Sequence, residues 1–350
     1  MKILVDVHHP VDINFFKNAI GILATKYDCH VEIAVQPRGK IVPILERELP
    51  QYHSVRIGTH RKSFAGKIYD AGVRFLGFVS YLRRGGFDLA AGFGGISLCH
   101  ATYVLGKPSV IFDDDPEFGL GFYPYKPFAT RLVMPQHIPA HGRNLVTYRG
   151  FKELAYVHPN FFKPDQTALQ EYGLSPGSYV FVREVSNISM NYTHLEEGRL
   201  VDDCRRLRSL GLNVVLSLED KSLTDRFAPH CIILQEPVGD IYSLMHFALL
   251  AISSGDSMAR EACVTGTPVI YTGGRFMSVN SELIKKGIFF EPDAENTVMK
   301  LVDMIIKQNM KHKTSEIVQE ALTSREWEDT TEVIVSNILE VMQESRPPKT

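Results

Sequence analysis

Leu249-Leu250-Ala251-Ile252 runs into Ser253-Ser254-Gly255-Asp256-Ser257-Met258-Ala259-Arg260-Glu261 and, past Gly266-Thr267, into Pro268-Val269-Ile270-Tyr271. The opening apolar run is what a strand buried on both faces shows. Ser257 to Thr265 has helical spacing and is closed by Gly266, and Pro268 to Tyr271 reads as a second strand. A helix between two short apolar strands carries the chain back across a sheet, so the strands lie parallel.

The same alternation extends in both directions. Upstream, Tyr179 to Val182 is a strand, Leu195 to Leu210 a helix closed by Gly211, Asn213 to Leu218 and Cys231 to Leu234 are strands, and Ile241 to Phe247 is a short helix. Downstream, Asn296 to Asn309 and Glu328 to Gln343 read as helices. The first part of the chain repeats the theme. Ile3-Leu4-Val5, Val31 to Val35, Ser54 to Ile57, Asp88 to Ala91 and Pro108 to Phe112 are strands; Asn14 to Ala24, Lys40 to Glu48, Lys67 to Arg84 and Ser97 to Leu105 are helices. Pro159, Pro164 and Pro176 interrupt the pattern. The spacing therefore predicts an α/β chain of two doubly wound, Rossmann-like halves facing a cleft. The first domain covers 1–160, the second 177–325, and 326–350 adds a helix and a frayed tail at Arg346 to Thr350.

With 350 residues, 44% hydrophobic and 22% charged, the chain has the composition of an ordinary globular protein. Lys+Arg 38 against Asp+Glu 40 gives a net charge of -2, so nothing attracts the whole molecule to nucleic acid. Five cysteines, never in a CxxC pair, argue against a disulfide framework or a zinc ribbon. The start reaches Asp6 too soon for a signal-peptide core, and no apolar run approaches the ~20 residues of a membrane span. The expected compartment is the cytoplasm.

Ligands of doubly wound sheets bind beyond the carboxyl ends of the strands. After Ile252, the small residues Ser254, Gly255 and Ser257 leave backbone amides free at a helix start, which suits a phosphate. Glu261, one turn in, could accept from vicinal sugar hydroxyls. Alternatively Ser254 or Ser257 simply caps the helix. Asp256 puts an anion at the same place and opposes phosphate unless its carboxylate turns aside. His9 and Asp12, in the loop after the first strand, are candidates for acid–base chemistry. Asp114, within Asp113-Asp114-Asp115, is another; the cluster could instead hold a divalent metal, the weaker reading where a helix already serves the phosphate. Arg183 could neutralise a diphosphate or form a surface ion pair with Glu184 or Glu219, and Gly274 belongs to a second loop that exposes backbone. The helix Lys67 to Arg84, with Arg74, Arg83 and Arg84 beside Phe75, Phe78 and Tyr81, could touch an anionic membrane; core packing is the more ordinary role.

Ser254-Gly255 with Glu261, Gly266 and Pro268 resembles the donor-site motif of the peptidoglycan glycosyltransferase that adds N-acetylglucosamine to a lipid-linked acceptor. It is also similar to the matching stretch of non-hydrolysing UDP-N-acetylglucosamine 2-epimerases. Closer still is the resemblance to the family called domain of unknown function 354. It is carried by His9-Pro10 with Phe15-Phe16-Lys17-Asn18, by Gly150 to Tyr156, and by Met258 with Arg260-Glu261-Ala262. The resemblance implies a GT-B fold whose last helix crosses back to the first domain. It also implies a nucleotide diphosphate sugar, UDP-linked, as substrate rather than cofactor. In that scheme Glu261 takes the ribose hydroxyls, Ser254, Gly255 and Ser257 the diphosphate, and Met258, Gly274 and Arg183 complete the donor site. No metal is assigned. His9-Pro10 falls on the epimerases' arginine-proline, and Gly92 to Ser97 lacks the aspartate the epimerases use there. The expected activity is sugar transfer to a saccharide or lipid-linked acceptor, as in surface polysaccharide synthesis. Epimerisation at C2 and a non-catalytic nucleotide-sugar-binding protein are the alternatives.

Overall fold

The computed structural model describes residues 1–61, 64–187 and 192–345; the expected frayed tail, Arg346 to Thr350, lies outside them. The chain divides into two compact units. Unit 1 is Met1–Tyr156 together with Trp327 and the residues after it, and unit 2 is Val157–Glu326.

Unit 1 is built on seven strands: β1 (Lys2–Val7), β2 (His30–Val35), β3 (Ser54–Arg56), β4 (Leu89–Phe93), β5 (Ser109–Phe112), β6 (Arg131–Pro135) and β7 (Leu145–Tyr148). They lie in the order β3-β2-β1-β4-β5-β6-β7, every pairing parallel. The central strands are apolar throughout, with Ile3, Leu4, Val5, Leu89, Ala90, Val110 and Ile111 all buried, because crossover helices cover both faces. Phe15 anchors one layer: its ring meets Phe16, Phe93 and Phe112 edge to face at centroid distances of 4.8, 4.9 and 5.3 Å. β6 and β7 extend the sheet beyond the strands read from sequence. Each is short, and β6 ends in Pro135, so neither carries a strong local signal.

The last helix, Thr330–Glu344, packs on the helix Pro10–Tyr27 and on β4 and β5. Asp329 caps it, accepting from the amides of Thr331 and Glu332 at 2.8 and 3.4 Å. The Thr330 and Thr331 hydroxyls donate to the carbonyls of Phe151 and Ala155 at 2.8 and 2.7 Å, which locks the returning chain into unit 1.

Unit 2 repeats the plan with β8 (Tyr179–Glu184), β9 (Asn213–Leu218), β10 (Ile232–Ile233), β11 (Leu250–Ser253), β12 (Val269–Tyr271) and β13 (Phe289–Phe290). The order is β10-β9-β8-β11-β12-β13, again all parallel. Both units are therefore doubly wound, Rossmann-like domains. The helix after β8 is Val201–Ser209, shorter than the Leu195 to Leu210 that periodicity suggests. Another helix, Met310–Thr323, buries only Met310, Thr314, Val318 and Ala321, a stripe too narrow to stand out in a polar sequence.

Lys311 on that helix reaches the ends of two others. Its ammonium donates to the Gly266 carbonyl at 3.0 Å, to Thr267 Oγ1 at 2.6 Å and to the His246 carbonyl. A cation at helix C-termini is favourable, and here it fixes the far end of the helix Asp256–Val264, which carries the candidate site. Lys311→Met strands these acceptors, and the expected cost is about 1–3 kcal/mol. A urea melt should show an earlier midpoint; an unchanged midpoint would refute the tether.

Candidate functional site

In unit 2 the chain winds one way from β8 to β9 and the other way from β11 to β12, so β8 and β11 are the neighbours between which a crevice opens. Their carboxyl ends carry Arg183 and the run Ser253 to Asp256. Ser254, 1% exposed, holds the two loops together. Its amide and its hydroxyl donate to the Arg183 carbonyl at 3.0 and 3.2 Å, and the hydroxyl accepts from the Val185 amide at 2.9 Å. The Ser254 hydroxyl is thus engaged with backbone and does not cap the helix. The N-cap is Gly255, with no side-chain cap. A Cβ at Gly255 would lie 2.9 Å from Val185 Cγ1, so only glycine lets the loops approach.

Two helices begin at this crevice, and they differ. The start of Val201–Ser209 has a carboxylate of its own: Glu184, 3% exposed, accepts from the amide of the N-cap Leu200 at 3.2 Å. Burial pushes the Glu184 carboxyl up, against the amides that favour its charge. The start of Asp256–Val264 is not met in that way. Asp256, 7% exposed, turns its carboxylate to the Tyr271 hydroxyl and to Arg275 Nη1, the latter at 3.2 Å. The Asp256 amide donates to the Tyr192 hydroxyl at 3.1 Å. Burial, and next the Asp256 charge, push both tyrosine hydroxyls well above their usual range, so they stay neutral donors. Within the first turn the amides of Ser257 and Met258 have no acceptor inside the helix, and both residues are half-buried.

Around this start, Arg183 donates to Ser217 Oγ at 3.2 Å and to Glu219 at 2.7 Å, the ion pair foreseen as its alternative role. Glu261 is buried in the helix, beside Arg260, whose guanidinium meets Asn280 Oδ1 at 3.3 Å. Gly274 has φ +64 and lines a cavity of about 600 Å³ within unit 2. Arg183, Ser254, Gly255, Ser257, Met258 and Glu261 thus lie on the two strand ends and the helix of one crevice, while Gly274 lines the cavity past β12.

Unit 1 has its own divergence between β1 and β4. His9, exposed, is the N-cap of Pro10–Tyr27. Asp12, 2% exposed, accepts from the amides of His8 and His9 at 2.9 and 2.8 Å, so its carboxylate closes the first helical turn. Asp114, equally buried, pairs with Lys152 Nζ at 3.0 Å. Asp113 accepts from Tyr125 and from the Asp115 amide, and loss of hydration pushes its carboxyl up to about 7. His9 Nε2 lies 3.2 Å from Arg38 Nη1; a guanidinium can only donate, so the ring nitrogen accepts. Loss of hydration around the ring, despite an exposed edge, then His8, and further Arg38 and Lys152, hold the His9 imidazole down at about 4, against Asp12. Among the described residues no cluster of His, Cys, Asp and Glu has the makings of a metal site, and no helix is long and apolar enough to cross a membrane. In the helix Phe64–Gly85, Arg74 and Phe78 are buried and Tyr81 donates to Glu32, while Arg83 and Arg84 are exposed.

Sequence reading missed Tyr192, Tyr271 and Lys152 and did not single out the role of Arg275. Each is remote in sequence from the residue it serves, and only the aromatic end of β12 beside an otherwise costly aspartate offered a hint.

The fold as a whole is shared with several solved structures. A UDP-GlcNAc 2-epimerase from Methanocaldococcus jannaschii, in complex with UDP-GlcNAc and UDP, superposes with a TM-score of 0.68 at 15% identity, covering 97% of this chain and 100% of that one. The glycosyltransferase VinC in complex with dTDP gives 0.69 at 12%, covering 99% and 100%. MurG from Acinetobacter baumannii gives 0.61 at 14%, covering 97% and 100%. Identities this low speak for the GT-B fold alone. None of the curated proteins matches by sequence. A family model does match, over residues 1–343, and the chain belongs to that family, described as Protein of unknown function (DUF354).

Proposed function

We propose that this chain binds a nucleoside diphosphate sugar in unit 2 and transfers the sugar to an acceptor hydroxyl. One observation carries the reading: of the two helices that begin at the crevice, Val201–Ser209 has a carboxylate, Glu184, on its N-cap amide, while Asp256–Val264 keeps the amides of Ser257 and Met258 and has its own carboxylate drawn aside. The positive end of that helix, equivalent to about half a charge, is the place for a diphosphate. VinC is described in complex with dTDP and the Methanocaldococcus epimerase with UDP-GlcNAc and UDP, which supports a nucleotide as ligand.

Glu261 would hold the ribose hydroxyls. Arg183, released from Glu219, would lie against the phosphates. As the bond between the anomeric carbon and the diphosphate oxygen breaks, the growing negative charge is stabilised by the helix start and by Arg183. The acceptor hydroxyl would lose its proton to His9 Nε2, released from Arg38, as its oxygen bonds the anomeric carbon. His9 is preferred to Asp12 and Asp114 because both carboxylates are buried in contacts of their own. Epimerisation is the second reading, favoured by the likeness to the Methanocaldococcus enzyme. UDP-GlcNAc incubated alone in heavy water separates them: deuterium at C2 would establish epimerisation and exclude transfer.

Thermal shifts with UDP and dTDP should show stabilisation that rises with concentration. Glu261→Ala should weaken that binding at least about tenfold, or about 1.4 kcal/mol; equal affinity would remove Glu261 from the ribose. His9→Ala should lower kcat by about 10²–10⁴ and leave nucleotide affinity as it was. A base works only when unprotonated, so kcat/KM should hold as pH falls below 6.5 and drop near the His9 value of about 4. An acid limb at 6.5 or above would point to another base.

A further inference from the structure

The cavity past β12 has no role in the scheme above, yet it shares walls with the phosphate helix. Tyr271 and Arg275 both line it, and both are the groups that hold the Asp256 carboxylate. A ligand arm leaving the helix start on the β12 side would therefore pass directly into it.

The chemistry of the walls selects what that arm can be. Arg199 and Arg275 line it together with Asp203 and Glu291, two formal charges of each sign. Arg199 is already engaged with the Thr272 carbonyl, and burial pushes the Asp203 carboxyl up. Arg275 in turn is held by the Asp256 carboxylate, so both guanidiniums have partners and a second anion beside Asp203 and Glu291 would meet like charge. A neutral arm rich in hydroxyls fits, because each hydroxyl can accept from a guanidinium and donate to a carboxylate. At the mouth stands Phe276, 77% exposed. A phenyl ring held in water beside polar walls offers a flat apolar surface to the C–H face of a sugar ring. At about 600 Å³ the space is ample for one pyranose.

We propose that this cavity is the glycosyl subsite and that it takes an uncharged hexose, stacked on Phe276 and hydrogen-bonded to Asp203. This deepens the nucleotide-sugar reading and rests on it. Uronic acids and other anionic sugars are disfavoured, because Asp203 and Glu291 would face them while Arg199 and Arg275 are engaged with the Thr272 carbonyl and the Asp256 carboxylate.

The test compares UDP with UDP-glucose, UDP-galactose, UDP-GlcNAc and UDP-glucuronate by calorimetry on the full chain. In the parent, at least one neutral UDP-hexose should bind more tightly than UDP, and UDP-glucuronate should not. Phe276→Ala and Asp203→Asn should each weaken that hexose at least fivefold and leave UDP within twofold. Phe276 is exposed, so its variant should keep the parent's melting temperature and answer the objection of misfolding. If both variants lower UDP and UDP-hexose alike, or neither, the subsite is refuted while the nucleotide reading survives. Tightest binding of UDP-glucuronate would overturn the neutral-ligand claim. Failure of UDP itself to bind the parent would bring down both readings.

Discussion

A helix cannot satisfy its own first amides, and the architecture of unit 2 turns on how that deficit is met at two neighbouring places. Val201–Ser209 meets it with Glu184, at the end of the strand that precedes it. Asp256–Val264 has an aspartate in its first turn that could do the same, yet Tyr271 and Arg275 pull the carboxylate away. The difference is maintained by small means. Ser254 joins the loop after β11 to the end of β8 and the loop beyond it through three hydrogen bonds. Each is worth about 1 kcal/mol, but their joint effect is positional: they fix the helix start relative to Arg183.

Much of the fold can be read from the chain, and for a simple reason. Parallel strands covered on both faces need uninterrupted apolar runs, and Ile3 to Val5, Tyr179 to Val182 and Leu250 to Ile252 are such runs. Edge elements are different. β7 buries only Tyr148 and needs no apolar run, and Met310–Thr323 is held largely by one buried stripe and by Lys311. The candidate site is legible where its logic is local, in Ser254, Gly255 and Glu261. It is illegible where it depends on residues distant in sequence. Asp256 looks hostile to phosphate until Tyr271 and Arg275 are seen beside it. Ser254 looks like a ligand or a cap until its partners after β8 are known.

Unit 1 shows another use of charge. Arg74 with Asp6, and Lys152 with Asp114, are ion pairs almost wholly removed from water at the carboxyl edge of the sheet. Such pairs add little net stability, since the loss of hydration offsets much of the attraction. Their value is geometric. They tie the helix Phe64–Gly85 to the end of β1, and the segment after β7 to the end of β5, around the loop that carries His9.

The path of the chain has a consequence for biosynthesis. Unit 1 is begun at Met1, interrupted after Tyr156 by the whole of unit 2, and resumed only at Trp327. Until Thr330–Glu344 leaves the ribosome, the flank of β4 and β5 and one side of Pro10–Tyr27 lack their cover. The inserted unit can mature first, while its host waits with an apolar wall bare, a state that invites aggregation or a chaperone. Translation order thus makes the first-made half of this protein the last to be finished.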